Sequence, residues 1–185
     1  GENVSVCAIK GNFDDAQSAV KQIFTDQALR EKMNANGKMF SSANSINWGR
    51  LVPQIVYYIA AYAQLIADHV IQPGDAVNIC VPTGNFGNIL AAYYAKKMGV
   101  PVNRFICASN QNHVLTDFIR TGTYDKNRVF HATISPSMDI LISSNLERLL
   151  FDLYEEDDAS VRALYDALAR DGKFTVSEGV KKKLQ

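Results

Sequence analysis

The sequence predicts an α/β fold, a mostly parallel sheet with helices on both faces, and three observations carry that prediction. Short apolar runs at residues 4–10, 77–81 and 102–108 alternate with longer stretches of helical periodicity. The run from Val77 to Val81, the helical stretch from Asn88 to Met98 and the run from Val102 to Ala108 fit one βαβ crossover, which requires parallel strands and a right-handed connection. Between that first strand and its helix lies Thr83-Gly84-Asn85-Phe86-Gly87, at the carboxyl edge where open parallel sheets bind ligands.

The elements follow in order. Val4 to Lys10 reads as a strand. Ala16, Ala19, Val20, Ile23 and Phe24 then fall on one helical stripe, and Asp26 is placed to cap a short helix that runs to Met33 and breaks at Asn34 to Lys38. Helical periodicity returns from Ser45 to Val70 with Pro53 near its first turn, and Gln72-Pro73-Gly74-Asp75 makes the turn into the central strand. Beyond the crossover the pattern predicts a helix over Val114 to Arg120, a strand over Arg128 to Thr133 and an apolar helix over Ile140 to Tyr154. The rest is helical and more charged, with Leu164, Ala167 and Leu168 on its apolar face.

Composition narrows the function classes. With 185 residues, 47% hydrophobic and 21% charged, the chain can bury a core as one domain or as a large piece of a bigger protein. Nineteen basic and nineteen acidic residues cancel, so no global field recruits nucleic acid or an anionic membrane. The most lipid-like stretch, Ile55 to Ala63, falls short of the ~20 apolar residues that a span requires. Cys7, Cys80 and Cys107 each sit in an apolar run without metal-type spacing, and no charged-then-apolar leader opens the sequence. Buried, reduced thiols in a cytoplasmic protein are the expectation.

The loop from Thr83 to Asn88 carries the chemistry. A helix leaves its first amide hydrogens without internal acceptors and adds partial positive charge there, which suits an anion. Gly84 and Gly87 can take positive φ and let a ligand approach the main chain, and Thr83 and Asn85 offer side-chain donors. The alternative is an ordinary turn capped by Asn85. An internal comparison favours the anion site: Gly11-Asn12-Phe13 repeats the pattern, but Asp14 and Asp15 follow it and fill that helix start with carboxylates. In the second copy Gly87 and Asn88 stand there instead, and no acid occurs through Met98.

A second polar cluster, Phe40-Ser41-Ser42-Ala43-Asn44-Ser45-Ile46-Asn47-Trp48-Gly49-Arg50, packs hydroxyls, amides and one guanidinium before a long apolar helix. It suits a carboxylate or phosphate. Helix capping by Asn44 or Ser45 accounts for one of these residues. Other motifs fail. The loop lacks the Gly-Lys-Ser/Thr ending of a P-loop, the Gly-x-Gly-x-x-Gly of dinucleotide sites and the serine of a nucleophile elbow. His69, His113 and His131 stand apart from one another and from any Cys or Glu at metal-ligand spacing.

Taken together, Ser42-Ala43-Asn44-Ser45-Ile46-Asn47-Trp48-Gly49-Arg50-Leu51 and Val81-Pro82-Thr83-Gly84-Asn85-Phe86-Gly87-Asn88 resemble the threonine synthase family, pyridoxal-phosphate enzymes of the tryptophan-synthase-β fold type (fold type II). Gly11 to Gln17 and Ser137-Met138-Asp139-Ile140 share the resemblance, which runs through nearly the whole chain. It implies that Thr83, Gly84, Asn85, Phe86, Gly87 and Asn88 hold the phosphate of pyridoxal 5'-phosphate, and that Ser42, Asn44, Ser45, Asn47 and Arg50 bind substrate. It also implies that residues 1–40 belong to a smaller domain and 41–185 to the large cofactor-binding domain.

The implied reaction converts O-phospho-L-homoserine and water to L-threonine and phosphate through aldimines of the cofactor. The partners are thus a small molecule, with neither nucleic acid nor membrane. The family lysine, in a Phe-Lys-Asp context, lies upstream, and this chain has neither Phe-Lys nor Lys-Asp. An internal fragment with the phosphate cradle and no catalytic residue of its own is expected, inactive alone. Two other readings stand beside it: a related phospholyase that releases phosphate without making threonine, and a noncatalytic phosphate-ligand module.

Overall fold

The computed structural model describes residues 2–11, 13–43 and 45–185, apart from the side chains of Phe13 and Asp14. The chain forms two compact units, Gly1–Ser42 and Ala43–Gln185.

In the first unit, helix α1 (Phe13–Thr25) is followed by α2 (Gln27–Ala35), where the Asp26 side chain accepts from the Leu29 amide at 2.9 Å, as the sequence predicts. The left-handed Gly37 (φ +66°) follows α2, and the rings of Phe24 and Phe40 meet at 5.6 Å. The strand expected over residues 4–10 does not form. These residues are irregular and exposed, Val6 at 94%, because an extended segment needs a neighbouring strand to complete its ladder and none lies beside it among the described residues. Cys7 is therefore exposed rather than buried.

The second unit holds the crossover. Helix α3 (Trp48–Leu51), a 3₁₀ turn over Val52–Gln54 that takes Pro53 into its first turn, and α4 (Ile55–Ala67) make up the predicted helical stretch. In the predicted turn Asp75 donates to the Gln72 carbonyl at 3.0 Å. Strand β1 (Val77–Pro82), helix α5 (Gly87–Lys97) and strand β2 (Val102–Ala108) are as expected, and the strands pair in parallel, Ile79 beside Phe105 and Val81 beside Cys107. Those four side chains pack into the core with α5. The opposite face carries exposed Asn78, Cys80, Arg104 and Ile106. Alternation thus leaves Cys80 exposed and Cys107 half-buried, which corrects the expectation that all three thiols are interior.

The remainder departs from the sequence reading in three places. Helix α6 (Val114–Thr121) forms, but residues 128–133 are irregular. Their backbone is held by side chains instead: His131 N–H donates to Asn112 Oδ1 at 2.9 Å and Thr133 N–H to Asp139 Oδ2 at 2.7 Å. The strand lies earlier, as β3 (Thr123–Asp125), antiparallel to β4 (Lys173–Thr175). Helix α7 covers only Leu146–Leu153, because Ser143, Ser144 and Asn145 turn toward the loop after β1. Helices α8 (Asp158–Asp171) and α9 (Glu178–Leu184) close the chain. The deepest packing is aromatic, with the Tyr124 and Phe174 rings stacked at 5.4 Å and Phe118 edge-on to both.

Candidate functional site

The parallel ladder continues one bond past β1, Thr83 N–H to Ala108 O at 2.9 Å, and then the chain turns into α5. The residue at the helix start is Phe86, left-handed at φ +65°, and no side chain caps the helix there. Its first internal bond is Leu90 N–H to Phe86 O at 3.0 Å. Among the described residues, the amides of Gly84, Asn85, Phe86, Gly87, Asn88 and Ile89 donate to no acceptor of the chain. The ordinary capped turn is thereby replaced by a run of successive amide hydrogens at the positive end of a helix dipole. The first turn of α5 has no acid, and Lys96 and Lys97 sit at its far end, where they complement the dipole.

The glycines act by size rather than by φ, since the positive φ falls on Phe86 and neither Gly84 nor Gly87 has one. A Cβ on Gly87 would lie 2.6 Å from both Cβ and Oγ of Ser45, and one on Gly84 would lie 3.0 Å from the Ser137 carbonyl oxygen. A left-handed phenylalanine costs about 1–2 kcal/mol. Phe86 is 6% exposed, and burial of its ring contributes about 2–3 kcal/mol, enough to hold the backbone there.

The back of the loop is fastened by residues that sequence reasoning missed. Ser143 Oγ donates to Gly84 O at 2.9 Å, Ser144 Oγ to Asn85 Oδ1 at 3.3 Å, and Asn145 donates to Asn85 O from its amide (3.1 Å) and its side chain (2.9 Å). The same Asn145 Nδ2 donates to Ser45 Oγ at 2.9 Å. Arg148 donates to the carbonyls of Ser45 (3.1 Å) and Ile46 (2.7 Å) and to Asn145 Oδ1, with its guanidinium 5.8 Å from the centre of the Trp48 ring. The signal was a run of three small polar residues inside an otherwise apolar helical pattern, a composition that competes with helix by bonding backbone elsewhere.

The predicted residues have distinct fates. Thr83 is buried and its hydroxyl donates to Val81 O at 2.7 Å. Asn88 gives the loop its amide only: its side chain accepts from the Tyr58 hydroxyl and donates to Gln54 Oε1 at 3.1 Å. Burial raises the Tyr58 pKa, so that hydroxyl keeps its proton. Ser45 is brought against the loop, and Asn47 caps α3 by accepting from Gly49 N–H at 2.9 Å, so the capping role falls two residues later than Ser45. Arg50 is exposed. Ser42 belongs to the first unit, and Asn44 lies outside the described residues, as does Asn12 of the upstream copy. In that copy a Cβ on Gly11 would meet an Asp15 carboxylate oxygen at 2.7 Å, consistent with a turn closed by its own acid.

Asp139 anchors the segment that rests on Gly84. Its Oδ1 accepts from Asn110 (2.6 Å), Asn112 (3.1 Å) and the Thr133 hydroxyl (2.7 Å), and its Oδ2 from the Thr133 amide. Burial pushes its pKa up, but these four donors outweigh it and hold the carboxyl below its ordinary value.

Among the described residues, six successive amides without an acceptor, no acid in the first turn and walls too close for a Cβ can together accept a compact dianion such as a phosphate monoester. No protein-family model matches the chain. It is 49% identical over 186 residues to threonine synthase-like 1 of Homo sapiens, covering 100% of this chain and 25% of that protein, and 46% identical over 178 residues to threonine synthase of Pseudomonas aeruginosa, covering 96% and 36%. The crystal structure of pyridoxal-phosphate-bound threonine synthase from Brucella melitensis superposes with a TM-score of 0.79 at 44% identity, over 96% of this chain and 36% of that one. The chain thus spans about a quarter to a third of the length of these relatives. Over that span, by sequence and by fold, it belongs to the threonine synthase family.

Proposed function

We propose that this chain is the phosphate-holding segment of a threonine synthase, and that residues 83–88 grip the phosphate of pyridoxal 5'-phosphate. The observation that carries the reading is the row of unspent amides from Gly84 to Ile89 at the uncapped start of α5. A phosphate monoester there accepts several backbone hydrogens and meets the positive end of α5, while Gly84 and Gly87 let Ser137 and Ser45 pack against the loop. When bound, the cofactor supplies an electron sink for carbanions of the substrate. This chain's own part is to bind and orient. Ser45 and Asn47 lie on the segment seated against the loop, and Arg50 is exposed for a charge-assisted contact with an anionic substrate.

The same reading assigns residues 1–40 to the smaller domain and 41–185 to the cofactor-binding domain, a division supported by the compact units Gly1–Ser42 and Ala43–Gln185, with Ser42 and Asn44 as further substrate contacts. A cytoplasmic setting goes with it, supported by three unpaired cysteines that suit a reducing compartment. Chemistry also needs a lysine for the Schiff base, and no lysine here has the Phe-Lys-Asp surroundings of the family. The isolated chain is therefore expected to bind the cofactor weakly and to form no threonine. Turnover by the purified 185-residue chain would refute that.

The substrate is proposed to be O-phospho-L-homoserine, and the products L-threonine and inorganic phosphate. The test uses the full-length protein with pyridoxal phosphate and O-phosphohomoserine, following both products. Equal release of threonine and phosphate supports the reading. Phosphate without threonine favours the phospholyase reading. Neither product would overturn both.

A further inference from the structure

We infer that Asn145 and Arg148 are positioning residues that lock the segment around Ser45 to the phosphate loop, so that substrate-side and phosphate-side contacts are held in one register. The inference rests on the phosphate-loop reading above and adds residues outside both motifs.

Two separated pieces of chain meet here, residues 45–47 and 84–87, and no backbone ladder joins them. Among the described hydrogen bonds, one fully buried asparagine and one guanidinium join them. The Asn145 side chain, 0% exposed, donates to Asn85 O on one side and to Ser45 Oγ on the other, both at 2.9 Å. Its Oδ1 is taken by Arg148, whose other donors reach the carbonyls of Ser45 and Ile46. Each polar atom of Asn145 is thus assigned, which fixes its rotamer. The planar fork of Arg148 spans successive carbonyls in a way that a lysine ammonium cannot reproduce. The empty position at Gly87 shows how close the register is, because Ser45 fills the space where a Cβ would go. A shift of Ser45 by an ångström therefore either collides with α5 or opens a gap beside the phosphate loop.

The two residues have separable effects. Asn145 touches the loop itself, so Asn145→Ala removes the side-chain donor shared by Asn85 O and Ser45 Oγ, leaves only the backbone amide on Asn85 O, and loosens both pieces. Arg148 bonds Ser45, Ile46 and Asn145 and lies against the Trp48 ring, with no bond to residues 84–87 among the described hydrogen bonds, so Arg148→Lys loosens the substrate side and leaves the loop amides in place.

The experiment uses the full-length protein. Cofactor dissociation constants come from titration of pyridoxal-phosphate absorbance, the phosphate environment from the ³¹P resonance of bound cofactor, and KM and kcat from O-phosphohomoserine turnover. Asn145→Ala is expected to weaken cofactor binding about tenfold and to shift the ³¹P resonance. Arg148→Lys is expected to raise KM about tenfold with cofactor affinity within about threefold of the parent. Ser45→Ala, which removes a single hydroxyl, combined with Asn145→Ala should give a non-additive KM effect. Should Asn145→Ala fail to fold, Ser45→Ala and Arg148→Lys still decide the matter through KM. Unchanged cofactor affinity, ³¹P shift and KM in folded variants would overturn the inference. A parent protein that binds no cofactor would instead overturn the phosphate-loop reading.

Discussion

At the residue scale, the site depends on what is missing at Gly87. Gly87→Ala must push Ser45, whose hydroxyl is tied to Asn145, so the full-length variant should fold and lose at least about tenfold in cofactor affinity, by titration of cofactor absorbance. Gly179→Ala is the control: open space surrounds that position in α9, and a gain of up to about 0.5–1 kcal/mol in denaturant unfolding is expected. Asp139 gives a pH signature. Its folded pKa lies below the ordinary value of about 3.9, so its stabilisation is fully present above that pH and is lost as pH falls from there through the folded pKa. Asp139→Asn should therefore lower stability at neutral pH and flatten the acid limb of a urea-midpoint against pH curve. An unchanged acid limb would show that the four donors do not set the carboxyl's titration.

At the element scale, capping and crossover were legible because their signals are local. Asp26 sits before an apolar-periodic run and does cap α2. Asp26→Ala should cost about 1 kcal/mol, read from the urea unfolding midpoint. The crossover declared itself through two β-branched runs around a helix, and the loop through its glycines, although the positive φ fell on Phe86 because packing of its ring outweighed the strain. What was not legible depended on partners distant in sequence. Residues 4–10 have strand composition but no adjacent strand among the described residues, and residues 128–133 have strand composition but are held by Asn112 and Asp139. The pairing of Thr123–Asp125 with Lys173–Thr175 spans about fifty residues and leaves no periodic trace in three-residue strands. For the same reason Asn145 and Arg148 escaped notice: their partners lie a hundred residues upstream.

At the scale of the whole molecule, one face of the parallel pair, with Cys80 and Ile106, stands open in this chain. A thiol reagent should modify Cys7 and Cys80 of the isolated chain quickly and Cys107 slowly, since burial raises the Cys107 thiol pKa and leaves less thiolate. In the full-length protein Cys80 should become protected, by mass-spectrometric footprinting, as helices cover that face of the sheet. Equal labelling of Cys80 in both would show that the open face is native to the protein. The central claim is that the amides of residues 84–89 hold a phosphate. A crystal structure of the full-length protein with pyridoxal phosphate tests it most directly. The account predicts the phosphate at the start of α5, accepting from amides of that run, and a phosphate bound elsewhere, with those amides turned to water, would contradict it.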